Sequence, residues 1–139
     1  MVTSKGYEQQ ARLFLALSHP VRLRILDVLS RQGACVCHLT AILGKRQPYV
    51  SQQLAALREA GLVIDRREAT LIYYRLADEH LANLLRESKS TLLALGGQDV
   101  SFAPIPEGPI ANCPCPRCQA SRLFLEMEPC NSANIAFFV

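Results

Sequence analysis

The chain has 139 residues, half of them hydrophobic, with 15 Lys and Arg against 12 Asp and Glu. That length accommodates one domain with an extension, and the apolar fraction supplies a core without disulfide staples. No apolar run reaches the about 18 residues of a membrane span, and residues 1–20 lack a signal peptide's pattern, so a cytoplasmic protein without membrane contact is expected.

Tyr7–Leu17 carries an amphipathic helical pattern with Leu13, Phe14 and Leu17 on one face. Ser18-His19-Pro20 breaks it, with Ser18 as N-cap and Pro20 near the start of a second helix running from Val21 to about Ser30. Val21, Ile25, Val28 and Leu29 form its core stripe, and Gly33 closes it. A short third helix, roughly Cys35–Leu43, stops at Gly44.

The fourth helix is punctuated by Gln47 as N-cap, Pro48 at its first position and Gly61 just past its end. Val50, Leu54 and Leu57 share one face. Pro48, Tyr49, Gln52, Ala55 and Ala56 share the other, with Ser51 at its edge, a small and polar surface that permits close approach to a groove. Leu62–Ile64 and Leu71–Leu76 read as strands joined by 65–70, with Arg66 and Arg67 at or near the tip. A fifth helix, Glu79–Leu95, carries Leu81, Leu84, Leu85, Leu92 and Leu95 and ends at Gly96-Gly97. Beyond it, six of the eight prolines lie between Pro104 and Pro129, so 98–116 is expected to be irregular. Residues 119–127 have the pattern of a short helix.

Two short helices with a tight turn, the second presenting small polar residues, then a hairpin, form the order of a winged helix-turn-helix. In that arrangement the second helix enters the major groove with its N-terminal residues on base edges. Gln52 can offer a bidentate amide to adenine; Tyr49 and Ser51 can bond bases or phosphates, and Gln47 is a further candidate DNA contact. Lys45, Arg46, Arg58, Arg66 and Arg67 are candidate phosphate contacts that set register. Charge agrees: residues 1–96 carry 13 Lys and Arg against 8 Asp and Glu, net +5, while 97–139 carry 2 against 4, net −2.

The segments ALSHPVRLRILDVL (16–29), CVCHL (35–39), VSQQLAALREAGLV (50–63) and REATLIYYRL (67–76) resemble the ArsR/SmtB family of metal-sensing winged-helix repressors. The resemblance covers roughly residues 7–95. Gln53 stands where many members have His, and Ala69 replaces a common wing glycine. The family implies a homodimer packed through its first and last core helices, bound to double-stranded operator DNA with dyad symmetry and released by an inducer. The expected architecture is therefore mainly α with a small β-hairpin: about five helices plus a wing over residues 1–96, and an irregular Pro/Cys-rich extension over 97–139.

The cysteines define where an inducer would bind. In a reducing compartment clustered thiols point to metal or redox chemistry before structural disulfides. Cys113-Pro-Cys115-Pro-Arg-Cys118 is the first candidate. A proline after each of the first two cysteines favours extended backbone, in which side chains two apart share a side, and a turn at Pro116-Arg117 can fold Cys118 back. Arg117 would favour thiolate. Three thiolates suit trivalent arsenic or antimony, and Zn²⁺ would require a fourth ligand from Cys130 or His38. The second candidate is Cys35 and Cys37. The family's arsenic sensors often read ELCVCDLC where this chain has GACVCHLT, with His38 for the acid and Thr40 for the third thiol. On an ideal helix Cys35 and Cys37 diverge by about 200°, so sharing an ion requires the first turn to unwind. A third family site, on the dimer helix, matches at Asp78 and His80 but meets Thr91 and Ala94 where ligands belong, and is rejected. A combined site is open, since the 96–112 linker can bring one subunit's tail thiols to Cys35 or Cys37 of another.

These readings lead to a repressor, not an enzyme, that releases its operator when As(III) or Sb(III) binds cysteine thiolates, with no organic cofactor. The alternatives are a thiol redox or persulfide sensor, favoured by the C-x-x-C spacing of Cys115 and Cys118, and a zinc-binding member of the same family. A thiol enzyme is disfavoured because no general base or anion-cradling loop accompanies the cysteines.

Overall fold

A computed structural model describes residues 4–110 and 113–119. Five helices appear in chain order, α1 (Lys5–Leu17), α2 (Pro20–Leu29), α3 (Val36–Leu43), α4 (Gln47–Glu59) and α5 (Glu79–Ala94). Three strands, β1 (Ala34–Cys35), β2 (Val63–Glu68) and β3 (Leu71–Leu76), form an antiparallel sheet in the order β1-β3-β2. This is the expected mainly α winged helix-turn-helix with a small sheet.

The core sits where α2, α3 and α4 meet. Ile25, Leu26, Val28, Leu39, Val50, Leu54 and Leu57 are completely buried. The α4 stripe of Val50, Leu54 and Leu57 is the one its periodicity requires, and truncating any of these leucines to alanine would cost about 2–5 kcal/mol. Gly61, at φ 77°, ends α4 in a Schellman turn: Leu62 N–H donates to Leu57 O and Gly61 N–H to Arg58 O, both at 2.9 Å.

Several local expectations shift. The N-cap of α2 is His19, not Ser18: its Nδ1 accepts from Val21 N–H at 3.3 Å. Arg46, in extended backbone, caps α4 in place of Gln47, which is already helical. Gly33 leads into β1; its missing Cβ leaves room for Tyr74 O, which a side chain would meet at 3.3 Å. The first wing strand, β2, runs past the predicted Ile64 to Glu68, while β3 has its predicted bounds. Pairing continues to Glu68 opposite Leu71, so the loop is only Ala69-Thr70, and Arg66 and Arg67 lie along β2 opposite Tyr73 and Ile72. Ala69 adopts φ 53°, the left-handed conformation that a glycine accepts at less cost.

On α5 only Leu81 and Leu85 of the predicted stripe are buried; Leu92 and Leu95 face outward. Leu92 and the half-buried Leu84 face Phe14 and Leu23 across an apolar groove of about 510 Å³ between α1 and α5. Asp78 caps α5, its Oδ1 accepting from His80 N–H at 2.8 Å and lying 2.6 Å from His80 Nδ1. That pairing gives Asp78 and His80 a capping role.

After α5 the chain runs back irregularly across α2. Arg24 donates to Ala103 O and Pro104 O at 3.3 and 3.4 Å, and Ile105 enters the main core, 9% exposed. Arg31 reaches Glu107 at 3.5 Å, and Lys89 lies 4.6 Å from the centre of the Phe102 ring. These contacts decide where the tail cysteines go.

Candidate functional site

Cys35 is the residue that the helical reading misplaced. It is not the first helical residue of α3 but its N-cap, in extended backbone at φ −82° and ψ 166°, and it ends β1 opposite Tyr73. The 200° divergence therefore does not apply, and no unwinding is needed. The Cys35 and Cys37 sulfurs lie 2.7 Å apart.

The docked tail brings its thiols to the same place within one chain. Cys113, Cys115 and Cys118 are buried together with Cys35, against Cys37, Ala41, Leu71, Tyr73 and Ile110. Cys113 N–H donates to Ile110 O at 3.1 Å, and residues 116–119 make a helical turn, with Gln119 N–H donating to Cys115 O at 3.0 Å. That turn returns Cys118, whose sulfur accepts from Ile110 N–H at 3.4 Å and lies 3.3 Å from His38 Nδ1. Two overlapping groups result. The donor atoms of Cys35, Cys37, Cys113 and Cys115 all lie within 4.8 Å of one another, and so do those of His38, Cys113, Cys115 and Cys118. Cys130 lies outside the described residues, as does the segment proposed for a further helix beyond Gln119.

Burial governs the protonation of this cluster. It pushes Cys35 and Cys113 up to about 12, reinforced at Cys35 by the bond with Cys37, and it raises Cys37 as well. Cys115 moves the other way. Burial opposes its ionisation, but hydrogen bonds from the Cys118 backbone and from the thiols of Cys113, Cys118 and Cys35 outweigh it and lower the pKa. These hydrogen bonds favour the ionised form of Cys115. His38 is held below its usual range by burial and then by the Arg117 charge, so the imidazole is neutral and able to ligate. Arg117 itself stacks over Tyr73, 4.5 Å from the ring centre, and hydrogen bonds are the largest causes that lower Cys115.

Beside the cluster lies a cavity of about 140 Å³ lined by Gln32, Cys35, His38, Tyr73, Gly108, Cys115, Arg117 and Cys118. Sequence reasoning missed Tyr73 as a wall of this site and Ile105 and Arg24 as the tether. The available signal was Ile105 itself, an isolated large apolar residue within a proline-rich run.

The candidate DNA-contacting residues face solvent, with Lys45 and Gln47 sharing a cleft with Cys37, Thr40 and Pro114. Lys45, Arg46, Gln47, Ser51, Gln52, Arg58, Arg66 and Arg67 are exposed and Tyr49 is half-buried. Arg58 pairs with Asp65 at 3.2 Å and Arg66 with Glu68 at 3.7 Å. Gln53 faces inward, its Oε1 accepting from Arg22 Nε at 2.9 Å, which ties α4 to α2.

Residues 19–65 match the model of the arsR family of bacterial regulatory proteins. A transcriptional repressor SmtB homolog from Synechocystis is 46% identical over 80 residues, 58% of this chain and 61% of that protein. The arsenical resistance operon repressor of Escherichia coli is 43% identical over 67 residues, 48% of this chain and 57% of the repressor. The matched region thus spans somewhat over half the length of these two relatives. Among solved structures, the homodimeric winged helix-turn-helix DNA-binding domain of a possible ArsR-family regulator from Mycobacterium bovis superimposes with a TM-score of 0.61 at 30% identity, covering 75% of this chain and 99% of that one.

Proposed function

This chain belongs to the ArsR/SmtB family of winged helix-turn-helix transcriptional repressors, DNA-binding regulators and not enzymes, and we propose that it releases its operator when trivalent arsenic or antimony binds its clustered thiols. The observation that carries this reading is the convergence of four buried cysteines and the half-buried Cys37, two from the start of α3 and three from the tail, in two overlapping groups. Trivalent metalloids take three thiolates in a pyramid, and the cluster offers more than one such triplet, Cys113, Cys115 and Cys118 first and the Cys35 and Cys37 pair with a tail thiol second. Each arsenic–sulfur bond replaces an arsenic–oxygen bond of arsenite, the thiol proton leaves with the hydroxyl as water, and arsenic stays trivalent.

In this reading residues 1–96 read DNA and dimerise, and 97–139 carry most of the sensor. Lys45, Arg46, Arg58, Arg66 and Arg67 hold phosphates, while Gln47, Tyr49, Ser51 and Gln52 approach bases. The apolar groove between α1 and α5 is the homodimer face, and a two-fold dimer calls for a dyad-symmetric operator. No helix among the described residues is long and apolar enough to cross a membrane, in keeping with a protein that works on DNA in the cytoplasm.

Operator binding followed by fluorescence anisotropy tests this. As(III), Sb(III), Zn²⁺ and peroxide are titrated separately against the wild type, Cys113→Ser/Cys115→Ser and Cys35→Ser/Cys37→Ser. Release of DNA by As(III) or Sb(III), impaired in both variants, is the expected result. Release by peroxide alone, reversed by reductant, would replace the metalloid with a redox signal, for which the 2.7 Å approach of Cys35 and Cys37 is the supporting observation.

A further inference from the structure

The thiol centre offers more donors than one trivalent ion uses. Its two groups of four share only Cys113 and Cys115; Cys35 and Cys37 belong to the first alone, His38 and Cys118 to the second alone. The second group has the composition of a tetrahedral site, three thiols and an imidazole. Ligands about 2.3 Å from a tetrahedral ion stand about 3.8 Å from one another, so a group already within 4.8 Å needs a contraction of about 1 Å. His38 turns its Nδ1 to the thiols, 3.3 Å from Cys118 Sγ. It is 7% exposed, and its other nitrogen, Nε2, is buried without a hydrogen-bond partner among the described residues, which costs about 1–3 kcal/mol unless something fills that side. The adjoining cavity gives a cation a route to His38, Cys115 and Cys118.

We propose, resting on the metalloid-sensing function above but taking the second of its two triplets as the metalloid's, that the centre holds two ions at once: a divalent tetrahedral cation such as Zn²⁺ on His38, Cys113, Cys115 and Cys118, and the trivalent metalloid on Cys35, Cys37 and one of the two shared thiolates. Charge supports the pairing. The five described cysteines, all free, give five negative charges when ionised, which equals the formal charge of one divalent and one trivalent ion. A buried site in which the charges cancel avoids the penalty of an uncompensated one. Zinc displaces the thiol protons to solvent and no electrons move. By holding Cys113 and Cys115 in place it presents a ready third thiolate to the ion that arrives at Cys35 and Cys37. The α3 pair is then the inducer's point of attachment and the tail's His38-linked half is a clip.

The test counts ions on the full-length chain by native mass spectrometry. Metal-free protein receives one equivalent of Zn²⁺ and then arsenite. The wild type should carry one zinc per chain and then add one arsenic without losing zinc. His38→Ala should lose the zinc and still bind arsenic, and His38→Cys, which restores a fourth ligand, should keep the zinc. Cys35→Ser/Cys37→Ser should keep zinc and refuse arsenic in the zinc-loaded form. One-for-one displacement of zinc by arsenic in the wild type, or zinc retention by His38→Ala, overturns the proposal; if circular dichroism shows His38→Ala to be unfolded, the wild-type displacement result and His38→Cys decide. Both ions bound with the operator still held would remove the metalloid-sensing function and leave the two-ion centre standing. Operator release with only one ion ever bound would do the reverse.

Discussion

Ile105→Ala should uncouple the tail from the core without unfolding the protein. Ile105 is the one buried apolar side chain that residues 98–110 insert into the main core. The other tethers are weak by nature. The exposed Arg31–Glu107 pair at 3.5 Å contributes about 0–1 kcal/mol, and Lys89 over Phe102 about 0.5–1 kcal/mol. Arg24's two bonds to backbone oxygens are exposed and long. Truncating a fully enclosed isoleucine costs about 2–5 kcal/mol; at the edge of the core, where the site can partly collapse, about 2–3 kcal/mol is expected. At 1.4 kcal/mol per tenfold, the population with the tail undocked rises about 30- to 150-fold. Cys35 and Cys113 are 2% and 1% exposed when the tail is docked, so a thiol reagent reaches them through the undocked state. The rate of thiol labelling should therefore rise by that same factor, with Ile105→Val giving a rise of about tenfold or less. Unchanged labelling, or labelling that follows the global unfolding midpoint in both variants, would refute the tether argument.

Ala69→Gly should stabilise the wing by about 0.5–1 kcal/mol, since Ala69 sits at φ 53° where glycine is unstrained; a lower thermal midpoint would show the strain to be absent. The metal-free protein should lose stability as pH rises from about 9 towards about 12. Folding raises the Cys35 and Cys113 pKa values from 9.0 to about 12, so their protonated thiols stabilise the fold below the lower value and that contribution fades above it. Urea midpoints across this range check it, and Cys35→Ser should flatten the profile. Gln52→Ala should cost about 1–3 kcal/mol on the preferred operator and relax its sequence preference. Lys45→Ala should instead weaken all sequences alike and lower the salt slope by about 1, as measured by titrations at several salt concentrations.

The helices and wing were legible because their signals are local. Val50, Leu54 and Leu57 repeat at helical spacing, and Gly61 marks the stop with a conformation few other residues accept. The errors fell where tertiary pairing overrides local preference. Residues 65–68 look like a polar loop, yet β3 pairs with them because exposed side chains are tolerated on an outer strand. Cys35 reads as helical until β1 pairs with β3 and holds it extended, a contact made across about 38 residues that no local pattern encodes. The tail site was half legible. The Cys-Pro alternation foretold the convergence of Cys113 and Cys115, but its meeting with Cys35 depends on Ile105 and Arg24, whose roles emerge only when the tail lies across α2.

How such a site could change DNA affinity follows from what it touches. Cys35 pairs across β1 with Tyr73, and Tyr73 pairs across β3 with Arg66 of the wing. Cys37, Thr40 and Pro114 line a cleft that also contains Lys45 and Gln47, at the start of α4. Drawing the sulfurs together around an ion therefore pulls on the wing and on the turn before the recognition helix at once. For this to be a switch the ion must bind the DNA-free form more tightly than the DNA-bound form, and typical couplings of about 1–3 kcal/mol correspond to about 5- to 150-fold. Linkage makes the coupling reciprocal: whatever factor the metalloid removes from operator affinity, saturating operator must remove from metalloid affinity. Titrating As(III) against free and operator-bound protein under anaerobic, reducing conditions should give two dissociation constants in that ratio. Equal constants, alongside DNA release in the anisotropy experiment, would mean that release comes from oxidation or aggregation of the thiols and not from an equilibrium between two conformations.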